Sequence, residues 1–141
     1  MAKGVPESIS SLVYALPRKW QWAWGCWLVL TAFSLAVPLI EALPELWQFL
    51  GFLTVCCLIG AAVTPIVQVE TRGWHNALGV AAGVLSQLCV FVLCPWAGFL
   101  VWMLTAVVLV FGKAEWWKYR VFVAEVVSVL AVYASLLVIS D

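Results

Sequence analysis

Apolar residues run through this chain in five long blocks, and the polar residues between them are few and clustered. The blocks are Trp20 to about Ile40, Pro44 to about Pro65, Asn76 to Cys94, Trp96 to Gly112, and Val121 to Ser140. An apolar helix crosses ~30 Å of hydrocarbon with about 17–25 residues, so each block is long enough for one membrane span. The fourth is near the lower limit. The pattern predicts an all-α integral membrane protein with five transmembrane helices over residues 20–141. A cytoplasmic or interfacial segment, 1–19, precedes them. Within it, Glu7 to Leu16 reads as a short interfacial helix with Ile9, Leu12, Val13 and Leu16 on one face, ended by Pro17.

Composition closes off the soluble alternative. Hydrophobic residues make up 66% of the chain and charged residues 10%. A soluble domain carries about 25% charged residues, so this surface must face lipid. The net charge is zero, which gives no footing for nucleic acid as a partner. The run Trp20–Ile40 exceeds the roughly 7–15 residues of a signal-peptide core, and no A-x-A site follows it.

The charges then set an orientation. Lys3, Arg18 and Lys19 precede the first span, Arg72 lies between the second and third, and Lys113, Lys118 and Arg120 lie between the fourth and fifth. If all five blocks cross, these seven residues share one face of the membrane. The opposite face holds only Glu41, Glu45 and Asp141. Excess Lys and Arg marks the cytoplasmic side, so the N-terminus is expected inside and the C-terminus outside, in a plasma membrane of bacterial inner-membrane type. A re-entrant hairpin of spans three and four keeps the same charge count and is the main rival. Tryptophan fits the layout: Trp20, Trp22, Trp24, Trp74, Trp116 and Trp117 fall at the inner interface, and Trp47 and Trp96 at the outer one.

The candidate chemistry is sparse. Glu125 lies five residues into the last span, a costly place for a carboxylate and a default functional candidate. His75 and Asn76 open the third span; Asn76 suits a helix cap, and His75 is the chain's only titratable imidazole and a possible partner of Glu125. With Arg72 and the more deeply placed Gln87, these residues form the candidate polar cluster, against the plainer reading of a solvated loop and helix-to-helix hydrogen bonding. Gly79-x-x-x-Gly83 in span three, and Ala124, Ser128, Ala131 and Ser135 in span five, are candidate packing faces, because small residues let helices approach closely in lipid. The five cysteines read as small apolar packing residues.

No catalytic motif, cofactor signature or metal-ligand spacing is present in the sequence, so no catalytic, cofactor-binding or metal-binding residue is assigned. The function expected is therefore non-enzymatic. The chain is read as a small polytopic membrane protein that assembles with itself or with other membrane proteins, as an accessory subunit or an oligomeric pore. The alternative is a small dimeric transporter or a proton or ion pathway using Glu125 and His75. A lipid-modifying enzyme with the same two residues as acid and base ranks last, since such sites need more polar groups.

Overall fold

The computed structural model describes residues 12–67, 72–111 and 120–140. Among them the only regular structure is helical: α1 (Leu12–Ala15), α2 (Arg18–Ala42), α3 (Gln48–Val67), α4 (Arg72–Leu93), α5 (Pro95–Phe111) and α6 (Arg120–Ser140). Three segments are long and apolar enough to cross a membrane: Arg18–Ala42, Glu45–Val67 and Gly73–Leu93. Shorter apolar helices cover Pro95–Val107 and Val123–Val138. Lys3, Gln68, Glu70, Lys113, Trp116, Trp117, Lys118 and Asp141 lie outside the described residues.

Prolines cut the chain where the sequence places them. Pro17 stops α1 and caps α2, and the corner is tied by Gln21 Nε2 donating to Leu16 O at 3.0 Å. Leu43 is extended before Pro44, and a single 3-10 turn, Glu45–Trp47, leads into α3. Hydroxyls inside the apolar helices bond back to their own helix, as Thr31 does to Trp27 O and Ser135 to Ala131 O. Lipid offers them no other acceptor.

The boundaries differ from the sequence reading in two places that matter. Helix α4 begins at Arg72, a full turn before Asn76, so Asn76 is an interior helical residue and does not cap. Helix α5 begins at Pro95, and one residue, Cys94, separates it from α4. Cys94 N donates to Val90 O at 2.8 Å and Gly98 N to Cys94 O at 2.9 Å, so the backbone stays hydrogen-bonded through the corner. Gly98 therefore lies within the first turn of α5. A Cβ there would lie 2.9 Å from Phe91 Cα, which only glycine avoids.

Specific contacts fix the helix directions. Gly25 of α2 seats on Ala62 and Ile66 of α3, while Gly51 of α3 seats on Ile40 and Leu43 near the other end of α2. Those two helices are antiparallel. Helices α3 and α4 are antiparallel as well, with His75 against Ala61 and Cys89 against Thr54. Gln87 of α4 reaches Ser128 of α6, and α4 and α6 run parallel, with α5 folded back between them in the chain. The buried core gathers Leu39, Leu43, Leu50, Cys89, Val90, Ala131 and Val132. All lie toward the end remote from Arg18, Arg72 and Arg120, which we call the far end; the other is the basic end. A second buried group, Val13, Ala61, Ala62 and His75, lies at the basic end, while large apolar side chains such as Leu30, Phe33, Val80 and Trp96 point outward.

Candidate functional site

The polar residues singled out from the sequence divide between two places on α4. His75 lies at the basic end. It is 1% exposed, and its Nδ1 is 2.8 Å from the carbonyl oxygen of Ala61. A carbonyl only accepts, so Nδ1 carries the proton and donates. The other ring nitrogen, Nε2, is buried and has no hydrogen-bond partner among the described residues. The ring of Tyr14 meets the imidazole edge to face, with centroids 5.4 Å apart and planes at 87°. Val13 beside it is 1% exposed. The short helix α1 thus covers His75, an arrangement with no signal in the sequence pattern.

The reason His75 turns toward α3 lies in Pro65. In an α-helix the N–H of residue 65 would bond the carbonyl of residue 61. Proline has no N–H, so the Ala61 carbonyl lacks its usual donor within its own helix. His75 Nδ1 supplies one from the neighbouring helix. One residue earlier, Thr64 Oγ1 donates to Gly60 O, so a side chain also bonds the carbonyl beside the break. A proline at 65 by itself tells that a bond is missing in this turn, but not which group compensates.

Gln87 sits twelve residues further along α4, about 18 Å up the axis at 1.5 Å per residue. It is 7% exposed; Nε2 donates to Ser128 O at 3.3 Å, and Oε1 is buried with no hydrogen-bond partner among the described residues. This is helix-to-helix bonding between α4 and α6, as lipid demands of a buried amide.

That contact also locates Glu125. With α4 and α6 parallel and Gln87 level with Ser128, Glu125 stands near the level of Val84. His75 lies roughly 13 Å lower along the axis. The imidazole of His75 faces Ala61 of α3 and Tyr14 of α1. Glu125 is half-buried, three residues before Ser128, on the face that carries Val132 and Ser135. Asn76 is exposed, and Arg72 is the first residue of α4.

The small-residue faces also part company. On α6, Ala131 (8% exposed) and Ser135 (3%) are buried, and Ala124 and Ser128 are half-buried, so this face packs inside the bundle. On α4 the motif behaves differently. A Cβ built on Gly79 or on Gly83 would meet nothing within 4 Å. Around them Asn76, Val80 and Val84 are exposed. The close approaches are made at other glycines: Gly25 on Ala62, Gly51 on Ile40, Gly60 on Leu78 and Gly98 on Phe91, with Gly25 and Gly60 joining different helices over their length. None belongs to a G-x-x-x-G, although Gly60-Ala61-Ala62 marks a thin stretch of α3. No family model matches the chain, and no match to it is found among curated proteins or solved structures.

Proposed function

We propose that this chain is a non-enzymatic, five-span protein of a bacterial plasma membrane, N-terminus inside and C-terminus outside. Its role is to assemble with itself or with other membrane proteins, as an accessory subunit or an oligomeric pore. The open Gly79–Gly83 face of α4 is the observation that carries this reading. Glycine in a helix costs ~1 kcal/mol relative to alanine, and in lipid the usual return is a second helix brought close. Within the described chain that return is missing at both positions. Asn76 lies on the same face, one turn before Gly79, where its amide can hydrogen-bond across a helix pair. The five apolar helices and the grouping of all Lys and Arg support the topology.

The test is disulfide cross-linking in vesicles, with the five native cysteines replaced. Val80→Cys reports on the α4 face and Leu30→Cys on an equally exposed face of α2. Linked dimers at Val80→Cys alone, lost when Gly83→Leu is added, support self-assembly through α4. If Val80→Cys stays monomeric in vesicles of the protein alone but links to another chain in native membranes, the accessory-subunit form holds. Absence of any α4-specific product in both settings refutes the reading.

A further inference from the structure

We propose that Pro65 makes the last turn of α3 a hinge and that His75 is the latch that holds it shut. The inference goes beyond assembly, because it concerns the basic end of the bundle and not the α4 glycine face. Three observations meet there. The Ala61 carbonyl lacks the N–H that an α-helix would bring it from residue 65, which is proline. The nearest donor is His75 Nδ1 at 2.8 Å, from a side chain 99% buried by its 1% exposure. The segment leading into the break is thin: Gly60, Ala61 and Ala62 offer little side-chain packing of their own. What seats it is Leu78 over Gly60, and Gly25 against Ala62 O and Ile66.

The imidazole therefore stands in for a missing backbone N–H. A backbone bond would belong to α3 alone, but this one ties α3 to α4. It also ties both to α1, because Tyr14 rests edge-on against the same ring and Val13 is buried beside it. When the bond is made, the last turn of α3, the first turn of α4 and the cover formed by α1 are one unit. When it is broken, the Ala61 carbonyl is left buried without a donor, and the least costly remedy is for residues 62–67 to swing out and admit water. The far end is unaffected by such a motion, since its core of Leu39, Leu43, Leu50, Cys89, Val90, Ala131 and Val132 lies remote from the break.

The experiment is a cycle read by amide hydrogen exchange in lipid nanodiscs. Wild type is compared with His75→Phe, Pro65→Ala and the double variant. Phenylalanine keeps the ring against Tyr14 but cannot donate; alanine at 65 restores the backbone N–H to Ala61 O. The latch predicts faster exchange at Ala62, Val63, Ile66 and Val67 in His75→Phe, with Phe52 and Leu53 unchanged, and little or no acceleration when Pro65→Ala is present. His75→Asn, whose amide nitrogen can take the place of Nδ1, keeps most of the protection. If His75→Phe leaves these amides unchanged, or speeds them equally in both backgrounds, there is no latch. A readout on the unmodified protein guards against variants that fail to fold: imidazole nitrogen resonances must show the proton on Nδ1, and a ring protonated on Nε2 alone overturns the proposal.

Discussion

Replacing Gly25 with alanine drives a methyl group into the seam between α2 and α3, and the geometry says how much that costs. The new Cβ would meet Ile66 Cδ1 and would lie 3.0 Å from the carbonyl oxygen of Ala62. The isoleucine tip can rotate away. The carbonyl cannot, because it belongs to the α3 backbone, so the helices must separate by a few tenths of an ångström. Overpacking of this kind costs about 1–3 kcal/mol. Alanine returns up to ~1 kcal/mol in helix propensity. Gly25→Ala should therefore lose up to about 2 kcal/mol. Gly83→Ala meets no atom within 4 Å, so in a dispersed monomer it keeps only the propensity gain. The two variants should straddle the wild type, about 1–3 kcal/mol apart, which is roughly 5- to 150-fold in the folding equilibrium. The assay is reversible unfolding of monomer in mixed micelles by added denaturing detergent, followed by circular dichroism. A Gly25→Ala protein as stable as Gly83→Ala, or a monomeric Gly83→Ala less stable than wild type, refutes the packing argument.

Three further outcomes follow from the same geometry. Gln87→Leu gives up a 3.3 Å bond to Ser128 O and also the burial of Oε1, so its stability should stay within about 1 kcal/mol of wild type in the same micelle assay; a loss beyond that would show the amide bonded on both sides. In oriented vesicles free of native cysteines, an impermeant maleimide should label Lys19→Cys only from the cytoplasmic side, and Glu41→Cys and Trp96→Cys only from outside. Labelling of Trp96→Cys from neither side would turn α4 and α5 into a re-entrant hairpin. Liposomes holding wild type or Glu125→Gln should be equally tight to protons if the chain is an accessory subunit; a wild-type leak that vanishes in the variant would revive the ion-pathway reading.

How much of this was legible in the chain depends on the physical scale of the signal. Apolar runs and prolines act over whole helices, and the helices lie where those runs and breaks indicated. The α6 stripe of Ala124, Ser128, Ala131 and Ser135 was legible because helical spacing alone gathers it on one face. Which glycines make close contact was not legible. Gly25 and Gly60 matter because of what stands opposite them, and that depends on register between helices distant in sequence. The partner of His75 was not legible for a related reason: an imidazole at the start of the third span carries no sign of which helix it will face. The deciding fact was the missing N–H of Pro65, ten residues earlier on another helix. That signal was present in the sequence, since a mid-helix proline always frees the carbonyl four residues before it. What the sequence lacked was the direction in which a donor would arrive.

The one-residue corner at Cys94 bears on the kind of bilayer this protein suits. Helix α5 has 17 residues, about 25 Å of length against ~30 Å of hydrocarbon. A short span usually relieves that mismatch by sliding along its axis. Here Gly98 is locked against Phe91, and no slack chain separates α5 from α4, so α5 cannot slide without carrying α4 with it. On the five-span reading proposed above, the mismatch passes to the lipid, which thins beside α5. Bilayers of short-chain lipid should therefore hold the bundle with less distortion than thick ones, and membrane thickness becomes a variable to which this fold responds.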